Sequence, residues 1–232
     1  MINKVFNYQS KVTIKLWLLF LLLSQSLYMI MKAYSIPSIS HEVGGLLIFD
    51  MKPLGYTYDY AYTFLSKLSE KGYEIYKYTQ LPLDLLFPIF NCLTGLCTFV
   101  LLFRFYHKVK FQLEVNWQSI FVRALLSIPF IAMVADYLEN ISIFIMLSYK
   151  TAVPKPLVYT ADIFTIIKSM STLIFYIVIS ILCIISSLKW IRNRIKGEHI
   201  DGKLRNTREE NGTFEGSYTG GNASSAKSKK SQ

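Results

Sequence analysis

The chain has 232 residues, of which 52% are hydrophobic and 17% are charged, and its formal net charge is +10. A water-soluble domain carries about 25% charged residues, so this composition argues against an ordinary soluble protein. The apolar residues are gathered in four long runs, a pattern that indicates membrane-spanning helices.

The first apolar run is "LWLLFLLLSQSLYMIM", residues 16–31, and it follows a basic N-terminal segment, residues 1–14. A signal peptide has a similar layout. Here, however, the basic segment is long and the following "KAYSIPS" is a poor small-residue cleavage site. We therefore expect a retained first span over about residues 15–32.

Three further apolar runs are each long enough to cross a hydrocarbon core about 30 Å thick. They predict spans at about 82–105, 118–147 and 159–188. The alternative, a soluble bundle of four buried helices, is less favoured by such long uncharged runs. The predicted fold class is all-α, with a four-helix transmembrane bundle over residues 15–190.

The predicted loop between the first two spans, residues 32–80, contains its own helical pattern. In "TYDYAYTFLSKLSEKG", Thr57 is placed to cap a helix and Gly72 to end it. Aromatic and aliphatic side chains share one face of this segment. The pattern predicts an amphipathic helix that lies on the membrane surface or covers the bundle.

The distribution of lysine and arginine predicts the orientation. With four spans, the side that holds both termini and the middle loop carries sixteen basic residues, whereas the other side carries seven. The positive-inside rule then places both termini in the cytoplasm and the first loop outside or in a lumen. Because this bias explains most of the net charge, we expect membrane lipids and no nucleic acid as partners.

Residues 191–232 are rich in glycine, serine, asparagine and charge, which predicts a disordered basic cytoplasmic tail. The run "KWIRNRIK" after the last span would attract anionic headgroups. The final "KKSQ" resembles the dilysine signal of endoplasmic reticulum proteins. It indicates that membrane if the source is eukaryotic, and the plasma membrane otherwise.

Ionisable residues inside the third span are the most informative feature. The stretch "MVADYLENISIF" holds Asp136, Glu139 and Asn140. A rise of about 1.5 Å per residue places Lys168 of the fourth span and Asn91 of the second at a similar depth. An unpaired charge at the membrane centre costs about 2.5–3.5 kcal/mol, so we expect these groups to meet. The candidate ligand-binding residues are Asp84, Asn91, Asp136, Glu139, Asn140 and Lys168.

Two interpretations of this cluster stay open. An internal salt bridge could serve only to fix the helix register. Alternatively, two carboxylates with one lysine leave an imbalance that a proton, a cation or an amine would correct. Asp84 and Asp162 fall near predicted helix starts, where interaction with the helix dipole is the leading interpretation.

Cysteine and histidine give no sign of a metal or redox site. The three cysteines lie within predicted spans without a CxxC pair, and no two histidines have metal-ligand spacing. We therefore predict no metal and no cofactor.

The segments "QLPLDLLFPIFN" and "ADYLENISIFI", preceded by "GYTYDYAYTFLSKLSEKGYEIYKYTQ", resemble a family of small four-span membrane proteins whose activity is uncharacterised. The resemblance covers about residues 44–185. It implies the four-span fold and a characteristic polar set of Asp84, Asp136, Glu139 and Asn140, and it implies no activity.

The chain also has a looser likeness to the four-helix membrane domain of sterol isomerases and the sigma-2 receptor. In that domain, acidic residues in a membrane cavity act on or bind sterol-like amines. No motif matches residue by residue, so no residue role is transferred.

Three functional hypotheses follow. The first is an integral membrane protein whose polar pocket binds a small amphiphile or a cation. The second is a lipid- or sterol-modifying enzyme that uses Asp136 or Glu139 as a general acid–base. The third is an accessory subunit in which the cluster only holds helices together. The sequence leaves catalysis and the oligomeric state undecided.

Overall fold

A computed structural model describes residues 12–109 and 120–219. Throughout these residues the regular elements are helices, which confirms the all-α prediction. The chain divides into two compact units, Met1–Cys183 and Ile184–Gln232. The first unit holds the helical bundle and the candidate site.

The first spanning helix is longer than expected. Helix α1 (Ile14–Ile30) passes through a wide π-helical turn, Met31–Ser35, into α2 (Ile36–Glu42). The helix therefore continues past the predicted end of the first span near residue 32. The wide turn leaves Pro37 in the first turn of α2, where its missing N–H does not interrupt the helix.

The connecting loop carries helix α3 (Tyr58–Lys67), and Thr57 caps it as predicted by accepting a hydrogen bond from Tyr60 N at 3.2 Å. The helix does not continue to Gly72. It ends at Lys67 because Leu68 adopts an extended conformation with ψ of 112°. Ser69 then caps the next helix by accepting a hydrogen bond from Gly72 N at 3.0 Å.

The second spanning helix also begins earlier than its apolar run. Helix α4 (Glu70–Ile75) continues through a π-helical turn, Tyr76–Gln80, into α5 (Leu81–Val109). The loop predicted over residues 32–80 is thus reduced to about 43–69. This shorter loop sits at one end of the bundle, which we call the loop end.

The remaining helices are α6 (Ile120–Tyr149) and α7 (Lys155–Thr219), joined by a 3₁₀ turn at Lys150–Ala152. Helix α7 continues through residues 191–219, where the sequence predicts a disordered tail. Residues 118–119 of the predicted third span and residues 220–232 of the tail lie outside the described residues.

Four helices are long and apolar enough to cross a membrane, as the sequence predicts, and this fits an integral membrane protein. The candidate spans are Ile14–Glu42, Glu70–Phe105, Arg123–Ala152 and Lys155–Ile195.

Close packing runs from α1 to α5 and from α5 to α6. Helix α7 joins α5 and α6 through large side chains: the rings of Phe99 and Phe175 meet edge-on with centroids 5.4 Å apart. By contrast, residues 14–42 and 155–183 share no hydrogen bond, ion pair or ring contact, although both face the cavity described below.

Helix α3 covers the loop end of the bundle. Its inner face buries Ala61, Phe64 and Leu65 in a core that includes Ile143 of α6 and Val158 of α7. The predicted amphipathic helix is confirmed. Its apolar face packs on the bundle because burial there removes aromatic surface from water.

A second attachment fixes the loop to α7. Tyr56 N donates a hydrogen bond to Asp162 Oδ1 at 2.6 Å. Asp162 is beyond the first turn of α7, so this bond replaces the predicted role at the helix dipole. The preceding Gly55 has a φ of +89°, and a Cβ built there would collide with Asp162 Oδ1.

Gly55→Ala tests this attachment. We expect it to lower stability by more than Gly44→Ala, because both glycines have positive φ but a Cβ at Gly44 meets open space. Backbone strain alone costs about 1–2 kcal/mol at either position. Thermal unfolding in detergent measures the difference. Equal losses in the two variants would show that the Gly55–Asp162 approach is unimportant.

Candidate ligand-binding site

Lys168 of α7 is at the centre of a cluster of three carboxylates. Its Nζ lies 3.1 Å from Asp50 Oδ1 and 3.3 Å from Asp136 Oδ1, and it also contacts Glu139 Oε2. The Lys168 side chain is only 16% exposed. We call Asp50, Asp136 and Glu139 the carboxylate cluster. The expected meeting of the third and fourth spans at one depth takes place.

Asp50 is the member that sequence analysis missed, because it comes from the loop. The 3₁₀ turn Phe49–Met51 places it, and Phe49 is fully buried with ring centroids 4.7 Å from Phe64 and 4.8 Å from Tyr56. Tyr76 OH donates a 3.5 Å hydrogen bond to Asp50 Oδ2. The available signal was the apolar run "LLIFDM", which is unusual for an exposed loop.

Glu139 and Asn140 lie on the side of the cluster that faces away from the cavity lining. Glu139 is fully buried, and Thr165 Oγ1 donates a 2.6 Å hydrogen bond to its Oε1. Asn140 Nδ2 donates to Asp136 Oδ1 at 3.2 Å. These two residues therefore hold Lys168 and Asp136 in place from behind.

Asp84 belongs to a separate buried chain of polar groups. Ser35 Oγ donates to Gln80 Oε1 at 2.5 Å, and Gln80 Nε2 donates to Asp84 Oδ2 at 2.7 Å. Since α4 and its π-helical turn precede α5 directly, Asp84 is not at a free helix N-terminus. The helix-dipole interpretation of Asp84 is wrong for that reason.

Tyr56 closes the loop side of the cluster. Its hydroxyl is buried and has no hydrogen-bond partner among the described residues. Burial, reinforced by the charge of Glu139, raises the pKa of Tyr56 far above its usual range. The phenol therefore stays neutral at all physiological pH values.

A cavity of about 600 Å³ opens beside the cluster, enclosed by the loop and by side chains of α1, α5, α6 and α7. Its polar end is formed by Asp50, Asp84, Asp136 and Lys168. Its remaining wall is mainly apolar and aromatic and includes Tyr28, Phe87, Cys92, Met133, Leu173, Phe175 and Tyr176. Leu173 and Tyr176 are also 51% and 55% exposed, so the cavity reaches the outer surface of the bundle.

The structure thus divides the six sequence-predicted residues into two groups. Asp84, Asn91, Asp136 and Lys168 line the cavity, whereas Glu139 and Asn140 do not. A binding role for any of them stays a prediction.

The carboxylate cluster has the composition of a metal site, which the spacing of histidine and cysteine residues did not predict. One oxygen from each acid lies within 4.8 Å of the others. However, the Lys168 ammonium contacts all three. A metal ion would have to displace a cation that is already bonded, so the arrangement favours ammonium over metal.

Charge is not balanced in this region. The carboxylate cluster and Asp84 supply four acidic groups for the single ammonium of Lys168. Unpaired charge is costly in a low-dielectric interior. The site is therefore suited to take up a proton or a further cation at the cavity wall.

Comparison of the chain with family models, with curated proteins and with solved structures finds no match.

Lys168→Met tests whether the cluster is a structural unit. Removing one partner from a buried ion pair costs about 3–5 kcal/mol, because the acids keep their burial and lose their cation. Lys150→Met is the matched control, since the Lys150–Glu70 pair is exposed and such pairs contribute about 0–1 kcal/mol. Unfolding in detergent measures both. A loss of stability in Lys168→Met no larger than that in the control would contradict a structural role for the cluster.

Proposed function

We propose that this integral membrane protein binds a small amphiphile with a cationic amine head in the cavity. The observation that carries the proposal is the excess of carboxylates at one end of a cavity whose other walls are apolar and aromatic. An amine at that end would gain a charge partner, and its hydrocarbon part would remain in contact with apolar side chains.

The dimensions support a ligand of this kind. A volume of about 600 Å³ is within the range of about 300–1,000 Å³ usual for small-molecule sites. From Gln80, at the end of the π-helical turn, to Cys92 on α5, the lining residues extend over about 18 Å at 1.5 Å per residue. The cavity is therefore elongated along the helices, like an amphiphile aligned with lipid.

The acids in this region can pair with two cations, the Lys168 ammonium and the amine of the ligand. Lys168 contacts all three acids of the carboxylate cluster, of which Glu139 does not line the cavity whereas Asp50 and Asp136 do. Asp84 and Asp136 then face the cavity as the anionic partners of a ligand amine. Lys168 acts as an internal counter-charge that keeps the acids from repelling one another.

The orientation in the membrane determines which side the cavity faces. With both termini in the cytoplasm, as the basic residues indicate, the loop end and the polar end of the cavity lie on the non-cytoplasmic side. The exposed rim at Leu173 and Tyr176 faces the lipid. Membrane lipids are then both the surroundings and the source of ligands.

Dodecylamine binding tests the proposal, with dodecanol as the uncharged control. We expect the purified protein in lipid nanodiscs to bind the amine, and Asp136→Asn to weaken that binding by about 30-fold or more, because a desolvated charge pair is lost. Asp59→Asn, at an exposed position on α3, is the matched control and should bind like the wild type. Isothermal titration gives the dissociation constants.

Equal affinity for amine and alcohol would contradict the proposal, as would unchanged amine binding in Asp136→Asn. If that variant does not fold, Asp84→Asn provides the same test from another helix. Chemical conversion of a bound lipid that depends on Asp136 would instead favour the enzyme hypothesis.

A further inference from the structure

A second layer of polar side chains lies further along the helices from the loop end than Asp84 and Lys168 do. It consists of Asn91 on α5 and of Ser169 and Thr172 on α7, which all line the cavity and are half-buried. Within the part of the chain that the structure describes, none of the three makes a hydrogen bond. We call them the second polar layer.

Some helix hydroxyls in this protein bond the backbone of their own helix. Thr94, Ser142 and Thr160 each donate to the carbonyl four residues earlier, at 2.7, 2.7 and 2.9 Å. That bond satisfies a hydroxyl that has no water available. Ser169 and Thr172 make no such bond and line the cavity, so their hydrogen-bonding capacity is available to its contents.

The position of the layer relates it to the acids. Ser169 follows Lys168 directly, and Thr172 lies one turn further along α7, about 6 Å beyond Lys168 at 1.5 Å per residue. Asn91 lies about 10 Å beyond Asp84 on α5. Phe175 and Tyr176 come next on α7. Along α7 the cavity lining thus passes from the charged Lys168, through the neutral Ser169 and Thr172, to the aromatic Phe175 and Tyr176.

We infer that the ligand is a membrane amino alcohol: an amphiphile with an ammonium group, one or more hydroxyl or amide groups close to it, and a hydrocarbon chain. The inference rests on the proposed function. The ammonium pairs with Asp84 and Asp136, and the chain lies against Phe175. The neutral groups bond the second polar layer, where hydroxyls and the Asn91 amide offer both donors and acceptors.

The same layering discriminates against other membrane amphiphiles. A simple alkylamine places hydrocarbon against the second polar layer, so the polar side chains there have no hydrogen-bond partner in the ligand. A phospholipid brings an anionic phosphate towards uncompensated carboxylates, and such like-charge contacts oppose binding. A neutral alcohol leaves the acids without a partner.

The test is a ratio of affinities in nanodiscs. A 2-amino-1,3-diol with a 12-carbon chain is compared with dodecylamine by isothermal titration. We expect the wild type to prefer the aminodiol by about fivefold to tenfold, the value of a net hydrogen bond or more. Thr172→Val and Asn91→Leu should each bring this ratio close to one.

Thr94→Val is the matched control, because its hydroxyl is already bonded to Phe90 O and does not line the cavity. It should keep the wild-type ratio. A wild-type ratio of one, or a ratio unaffected by both test variants, overturns the inference. In either case dodecylamine binding that depends on Asp136 leaves the proposed function standing, whereas its absence removes the proposed function as well.

Discussion

The burial of one ammonium among three carboxylates is the constraint on which this structure depends. Lys168 is almost fully enclosed, and its charge cannot be left without partners at that depth. Asp136 and Glu139 supply partners from α6, and Asp50 supplies one from the loop. The same ion pairs therefore fix the register of α7 against α6 and draw the loop down onto the bundle.

The position of the loop then determines the form of the cavity. Phe49 enters the aromatic core at the loop end, Tyr56 N bonds Asp162, and α3 covers the remaining apolar surface. The cavity is consequently bounded by polar and loop residues at this end, while Leu173 and Tyr176 reach the exposed surface of α7. A site of this shape favours molecules that already reside in lipid.

Much of this arrangement could be predicted because it depends on short-range rules. Hydrophobic runs predicted the four spans, the rise of a helix predicted that Asp136, Glu139 and Lys168 would meet, and Thr57 signalled its own cap. The helix ends were less predictable. The π-helical turns at Met31–Ser35 and Tyr76–Gln80 extend two helices through polar residues, and no composition rule marks them.

The role of Asp50 could not be predicted, since it depends on a contact 118 residues away along the chain. The error at Asp84 has a related cause: its environment follows from α4 lying directly before α5, which the apolar pattern did not show. Asn91 of the second polar layer was among the predicted candidates, whereas the unbonded state of the Ser169 and Thr172 hydroxyls is visible only in three dimensions, because a serine or threonine on an apolar helix can bond its own backbone.

The most direct test of the central claim is a double-mutant cycle between Asp50 and Lys168, measured by unfolding in detergent with Asp50→Asn, Lys168→Met and the double variant. The account predicts a coupling energy above about 1 kcal/mol, with the double variant more stable than the sum of the single losses implies. Additive losses would show that the loop acid and the lysine do not interact, and would contradict the account.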